Sequence, residues 1–549
     1  LNIGLSFLLN YLQYTSFIGI LMTLCLICSS LWPLILLSIV KRYWNFMSSK
    51  VFSTDSLLIL AQWLAAAFVL VIIGLVVSVG IMYVVDRTQN RHTIRHNYPV
   101  IGRFRYMFER MGEFMRQYFF AMDREEMPFN RAQRSWVYRA AKNADRNVAF
   151  GSTRDLSRTG TIIFSNAPYP PMAEQATSPE PITIGPYCET PYSPVSYFHI
   201  SGMSYGALSP VAVKSLSQGA AKAGCWLNTG EGGLSPYHLM GHCDIVFQMG
   251  TAKFGVRDKE GRLDEDRLAE LGRHDNVKMF EIKLSQGAKP GKGGILPGVK
   301  VNSEIARIRG IVEGEDAISP NRHPEIGNNE ELLDFIEKVR TITGKPTGFK
   351  FVMGDPSWID ELIDCILTRG EEAAPDFITL DSADGGTGAA PQPLMDYVGL
   401  RVTESLPILI DKLTEAGLHG RVRVVVSGKM ITPADVAWAI AMGADFVTSA
   451  RGFMFSLGCI QAMQCNKNTC PTGVTTDDPK LMRGLDPENK SVRAANYHKY
   501  MEYGVNIIAH SCGVTDPRRL NRRHARVIKP DGESISLAER YPLPPARRR

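Results

Sequence analysis

Between residues 196 and 450 one small pattern recurs: a short run rich in β-branched and aromatic residues, a polar stretch containing glycine, then a segment with helical spacing. The runs are SYFHIS (196–201), CWLNTG (225–230), MFEIKLS (279–285), GFKFVMG (348–354), DFITLDS (376–382), VRVVVSG (422–428) and ADFVTSA (444–450). Between them lie helix-like stretches such as SPVAVKSLSQGAAKAG, NEELLDFIEKVRTIT and TPADVAWAIAMG. A chain that alternates strand and helix in this way pairs its strands in parallel, because each helix returns it to the start of the next strand. Seven or eight such units over about 260 residues predict an α/β fold closed into a (β/α)8 TIM barrel, with an open doubly wound sheet as the alternative.

The polar stretches favour closure. GMSYGALSP, GEGGLSP, QGAKPGKGG, DSADGGTGAAP, SGKMITP and SARGFM all follow the C-terminal ends of these runs. Barrel active sites are built on that rim, whereas ordinary turns would not concentrate glycine on one face. The last two loops read as a phosphate cradle: Ser427, Gly428 and Lys429 precede a helix opening with Thr432-Pro433, and Ser449, Ala450, Arg451 and Gly452 follow the next run. Backbone N–H groups beside a Lys or Arg suit an anion, and barrels commonly place a phosphate after strands seven and eight. Lys350, flanked by apolar residues in GFKFV, points into the barrel mouth. A charge there needs an anionic partner. That partner is either a carboxylate in the core or the electron-rich pyrimidine edge of a flavin.

Three cysteines, Cys459, Cys465 and Cys470, gather in GCIQAMQCNKNTCPTG (458–473). A disulfide would leave one of them unpaired, and the other cysteines show no regular framework. Structural zinc wants a fourth ligand, and the nearest histidine, His498, lies well downstream. Iron–sulfur clusters accept such runs, with proline after the last cysteine. Three cysteines fit a three-iron cluster, an open-cornered four-iron cluster being the other possibility.

Two runs near the start lack any charge: 16–40 over 25 residues and 56–85 over 30. Each is long enough to cross a hydrocarbon core of about 30 Å as a helix. The link between them, KRYWNFMSSKVFSTD, carries three basic residues and one acid, whereas residues 87–110 carry six arginines against one glutamate. The positive-inside rule then predicts a transmembrane hairpin in the cell inner membrane with the catalytic part cytoplasmic. The expected divisions are a hairpin (1–90), a helical connector lying on the membrane surface with a Pro-rich linker (91–194), the barrel (195–515, cysteine loop 455–475) and a basic tail (516–549). A net charge of +6 does not by itself call for a nucleic-acid partner.

GMSYGALS, GEGG, FGV, EIKLSQGAKPGKGGILPGVKV, DGGTGAAP and the run C-x5-C-x4-C-P-x-G-V occur in one order within residues 195–515. This set resembles the FMN-binding central domain of glutamate synthase, and most closely the FMN-binding glutamate synthase family proteins, some of which carry N-terminal spans. The resemblance implies FMN and a 3Fe-4S cluster held by Cys459, Cys465 and Cys470. It implies FMN contacts from Met203, Ser204, Gln286, Lys350, Asp384, Gly385, Gly386, Ser427, Gly428, Lys429, Ala450 and Arg451. It also implies a substrate site with Glu231, Lys289 and Arg309, where reduced flavin passes hydride to 2-iminoglutarate formed from 2-oxoglutarate and ammonia.

Against the family's pattern, a membrane hairpin is expected where the full enzyme has its N-terminal nucleophile cysteine domain, no G-x-G-x-x-G follows a strand, and Ile295 stands where the family has a keto-acid-binding glutamine. The implied activity is glutamate formation, with electrons from ferredoxin, another carrier or a partner subunit and with homo-oligomers possible. The alternatives are a membrane dehydrogenase passing electrons to quinone and a non-catalytic membrane subunit. The second would be favoured by loss of the flavin ligands, which are present.

Overall fold

The computed structural model describes residues 54–545 except 90 and 146. The chain divides into two compact units, Leu1–Ala121 and Met122–Arg549.

The described part of the first unit is mainly helical. Thr54–Thr88 forms one helix, followed by a short helix Thr93–Asn97 and a third, Gly102–Met115, that runs into a π-helical turn, Arg116–Phe120. Within Leu57–Thr88 an 18-residue window of the first helix has a mean hydropathy of 2.9, and none of that window is buried. A helix apolar on every side has no face for water and none for a conventional core. Of the two expected spans, the second is matched by one candidate membrane-crossing helix among the described residues. The run 16–40 lies outside them.

The second unit holds the barrel. Its strands are β1 (Phe198–Ile200), β2 (Leu227–Asn228), β3 (Ile245–Met249), β4 (Val277–Lys283), β5 (Thr347–Val352), β6 (Phe377–Asp381), β7 (Arg423–Ser427) and β8 (Phe446–Ser449). Each pairs in parallel with the next, and β8 closes on β1. Closure excludes the open doubly wound sheet. The strand not foreseen is β3. The connection leading to it holds only a four-residue helix, Pro236–Leu239, so the βα rhythm is broken there.

Alternation along the strands sorts the interior into layers. Trp226, Val246, Met279, Phe377, Val425 and Phe446 form an apolar cluster with Ile184 at the N-terminal end. Two residues further along the same strands stand Asn228, Gln248, Glu281, Thr379, Ser427 and Thr448, all buried and all polar. One end of the barrel is thus a sealed core. The other is a floor of hydrogen-bonding groups.

Outside the barrel, Pro487–Ser511 packs on Pro210–Ala223 so closely that a methyl group at Gly219 would lie 2.7 Å from the Ala494 Cβ. A small antiparallel sheet joins Ile162–Phe164, Ala525–Ile528 and Ser534–Ser536, so the segment expected as a tail carries strands of its own. The Pro-rich passage is a loop apart from one 3-10 turn, Ala173–Gln175, and an isolated bridge between Ile184 and Tyr192.

Candidate active site

The polar floor is organised by Glu281. Its Oε1 accepts from Asn228 Nδ2 at 2.8 Å and Gln248 Nε2 at 2.6 Å, and its Oε2 accepts from Thr379 Oγ1 at 2.5 Å. Three strands thereby hold one carboxylate in place. Lys350, from β5, stands in the same layer, with its Nζ 3.0 Å from Asp381 Oδ2 of β6. Burial opposes its charge, but Asp381 and Glu281 outweigh that and hold its pKa above the ordinary lysine value. Asp381 also accepts from the Gly287 N–H at 3.0 Å, fixing the loop after β4.

Above this floor lies a second charge group. Glu231, from the loop after β2, pairs with Lys283 at the end of β4 across 3.1 Å. Lys289 and Arg309 act on the same carboxylate electrostatically. Burial pushes Glu231 up, yet the three cations leave its pKa below the usual value. Burial lowers Lys289 to about 8 and Arg309 to about 10. Arg309 donates through Nη2 to the Tyr205 carbonyl at 2.9 Å, and its buried Nε has no protein partner. The loop 293–294 presses against this group: a methyl at Gly294 would sit 2.1 Å from Glu231 Oε1. Ile295 follows at once, 37% exposed, paired in a two-stranded ribbon with Ile318.

The expected cofactor residues fall in two places. Asp384, Gly385, Gly386, Lys429 and Arg451 line a cavity of about 570 Å³. Lys429 takes a left-handed φ of +57°, which costs energy in a residue other than glycine, and its Nζ lies 3.0 Å from Asp384 Oδ2. Gly428 before it cannot be replaced easily, since a Cβ there would lie 2.4 Å from the Ser382 Cβ at a φ of +101°. Arg451 donates to the Thr387 carbonyl, and Gln286 Nε2 donates to Thr387 Oγ1 at 3.2 Å. Ala450 precedes the helix Arg451–Leu457.

Ser427, by contrast, faces the barrel interior 3.3 Å from Ser201 Oγ. Met203 and Ser204 form the loop after β1, where a Cβ at Gly230 would lie 2.4 Å from the Ser204 N. Met203, Ser204, Ser427 and Lys350 are not in the lining of the large cavity.

Cys459, Cys465 and Cys470 line that cavity too. Arg451 Nη1 lies 3.8 Å from Cys465 Sγ, which joins the loop after β8 to the cysteine run. Burial raises the Cys459 thiol to about 11. At Cys470 burial also pushes upward, but donors from Thr472 and Thr475 prevail and lower its pKa. Among the described residues no three His, Cys, Asp or Glu side chains are gathered to hold a single metal ion. The loop is braced by the connector: Tyr138 Oη donates to the Cys459 carbonyl at 2.6 Å, and Gln461 Nε2 donates to Glu126 Oε1 at 2.8 Å and to the Phe129 carbonyl at 3.1 Å.

Sequence reading missed Lys283, Asp381 and Glu281. The period-two alternation of EIK and TLD is the signal that points them inward with Lys350. It missed the bracing by Glu126, Phe129 and Tyr138 because a long-range contact leaves no local pattern.

The conserved region of glutamate synthase matches residues 172–515. The glutamate synthase large subunit-like protein YerD of Bacillus subtilis (strain 168) is 40% identical over 511 residues, covering 86% of this chain and 97% of that protein. The archaeal-type glutamate synthase (NADPH) of Thermotoga maritima is 35% identical over 317 residues, covering 57% of this chain and 59% of its own length. The archaeal glutamate synthase (NADPH) of Methanocaldococcus jannaschii is 34% identical over 333 residues, covering 60% and 61%. The matched region thus spans about three-fifths of these two synthases. With a match over most of its length and a barrel carrying the conserved region's loops on one rim, the chain belongs to the glutamate synthase family.

Proposed function

We propose that the chain is a membrane-anchored FMN and iron–sulfur oxidoreductase that makes L-glutamate by reductive amination of 2-oxoglutarate with ammonia. The observation that carries this reading is the buried group of Lys283, Lys289 and Arg309 around Glu231. Three cations to one carboxylate leave an excess that a dianionic keto acid neutralises, and a buried cation excess is costly without an anion.

The residues present fit FMN. The cavity of about 570 Å³ is lined by Gly385, Gly386, Lys429 and Arg451, backbone and basic groups that suit the phosphate end, while the residues for the ring lie outside its lining. Lys429, Arg451 and the Gly385–Gly386 backbone would hold the phosphate, while Met203, Ser204, Gln286, Ser427 and Lys350 would hold the ring. Bound there, FMN supplies hydride transfer to the substrate carbon. Lys350 keeps a positive charge at the barrel mouth, and Asp381 and Glu281 keep it protonated. Lys283 and Arg309 orient the substrate carboxylates. Lys289, titrating near 8, exchanges a proton with the substrate nitrogen at neutral pH.

The cysteine donors fit a cluster better than one ion, since a cluster spreads its irons and lets the thiols stand apart. Cys459, Cys465 and Cys470 would bind a 3Fe-4S cluster, which supplies single-electron exchange with ferredoxin, another carrier or a partner subunit. The arginines of residues 87–110 support a cytoplasmic catalytic unit at the inner membrane.

The test is stopped-flow reoxidation of anaerobically reduced, detergent-purified protein by 2-oxoglutarate with ammonium, against each alone. Rapid flavin oxidation with equimolar L-glutamate supports the assignment. Ile295 favours a second reading, a dehydrogenase that passes electrons to quinone. Flavin that stays reduced with the keto acid and ammonium, but is oxidised by a quinone analogue, moves the assignment there.

A further inference from the structure

The helix Gly102–Met115 carries a face that its own unit leaves bare. Phe104, Met107, Phe108, Met111 and Met115 recur at three- and four-residue spacing, so they share one side, and all are exposed, Phe108 by 61%. Phe104 and Phe108 stack along it with centroids 6.3 Å apart. At about 100° per residue, Arg103, Arg105 and Arg110 fall to either side of that face and Glu109 falls towards the opposite one. The π-helical turn continues the apolar character with Phe119 and Phe120, 74% and 73% exposed. A water-facing helix does not expose such a row, and a core helix would bury it.

The direction of this helix is fixed at its root. Asp86, in the last turns of Thr54–Thr88, is buried and receives Arg103 in a two-pronged pair, Nε to Oδ2 at 2.7 Å and Nη2 to Oδ1 at 2.8 Å. The Val100 N–H donates to the same Oδ2 at 3.0 Å. Gly102 presses on the previous short helix, where a Cβ would lie 2.8 Å from the Ile94 carbonyl oxygen. A rigid elbow therefore joins the apolar helix to the amphipathic one.

We propose that residues 102–120 lie in the surface of a bilayer containing anionic lipid, with the Phe and Met row in the acyl boundary and Arg105 and Arg110 on lipid phosphates. The proposal rests on the membrane-anchored reading above, because the elbow starts where the apolar helix ends. Its support is charge complementarity: an apolar row edged by arginines matches an anionic headgroup layer, and long arginine side chains reach the phosphates while their stems stay in apolar surroundings. The elbow converts a crossing helix into a two-point mount.

The test uses native methionines. The full chain is reconstituted into vesicles of phosphatidylcholine with phosphatidylglycerol, or of phosphatidylcholine alone, treated briefly with hydrogen peroxide and analysed by peptide mass spectrometry. Met172, 66% exposed in the second unit, is the water-exposed reference, and Met82 reports on the apolar helix. In anionic vesicles Met82, Met107, Met111 and Met115 are expected to oxidise about tenfold slower than Met172.

If Met82 is protected while Met107, Met111 and Met115 oxidise like Met172, the surface helix is refuted and the crossing helix stands. If Met82 also oxidises like Met172, the membrane reading fails with it. An Arg105→Gln, Arg110→Gln double variant is expected to lose protection at the three row methionines in anionic vesicles alone. Equal protection of parent and variant in both lipids overturns the headgroup assignment.

Discussion

Lys350 Nζ lies 3.0 Å from Asp381 Oδ2 inside the barrel mouth, and both side chains are less than a tenth exposed, at 7% and 8%. The sequence left two partners open for this lysine, a carboxylate or a flavin, and the structure supplies the carboxylate without closing the mouth. Removing one member of a buried pair leaves the other uncompensated. Lys350→Met is expected to destabilise the barrel by about 3–5 kcal/mol in urea unfolding, and the Lys350→Met, Asp381→Asn double variant to recover part of that loss. Equal midpoints for all three proteins would show the pair to be dispensable.

Lys289 sets a pH limit. Its pKa, lowered by burial to about 8, means that the cation is present below that pH and is lost as pH rises through it. For a dianionic substrate kcat/KM should therefore fall above about pH 8. Lys289→Arg, charged throughout but unable to exchange a proton near neutrality, should lower kcat while moving that falling limb to higher pH. An unchanged profile in the arginine variant would assign the limb to another group.

Gly294 is a spacer for Glu231. A methyl there would meet Oε1 at 2.1 Å, so Gly294→Ala should push the carboxylate off Lys283. The expected result is a KM for keto acid raised about tenfold with the flavin content of the purified protein unchanged. Loss of flavin along with affinity would mean that the loop serves the cofactor instead.

Ile295 tests specificity. It lies next to Gly294 on the partly exposed ribbon, where an amide can be installed without burying it. Ile295→Gln should lower the KM for 2-oxoglutarate by about tenfold, the worth of one added hydrogen bond to a carboxylate. No change, or a rise, would argue that 2-oxoglutarate is not the substrate.

The cysteine loop predicts iron. Anaerobically purified protein should contain iron and acid-labile sulfide, and Cys470→Ser should lose both while keeping the FMN absorbance. Gln461→Ala, which removes the donors to Glu126 and Phe129, should make the iron easier to extract with a chelator. Parent protein without iron would remove the cluster from the assignment.

Much of this was legible in order along the chain. Strand runs ending in glycine loops gave the barrel, because alternation and turn chemistry are local properties. Lys350 stood out as a charge alternating with apolar residues in a strand run, and Lys429, Arg451 and the cysteines stood out in the loops that follow such runs. Strand β3 was missed where a four-residue helix interrupts the rhythm, and Lys283 was passed over within a run read only as a strand.

The sequence by itself determined which residues face inward, since a period of two leaves no choice once a strand is formed. It also determined that one long helix, Thr54–Thr88, has no polar side. Only the tertiary structure decided who pairs with whom: that Glu231 meets Lys283, that Asp381 rather than a distant acid answers Lys350, and that Tyr138 braces Cys459 from 321 positions away. The reason is closure. A barrel brings the ends of eight strands to one rim, and charges far apart in the chain are neutralised by whichever side chains that closure sets within hydrogen-bonding reach.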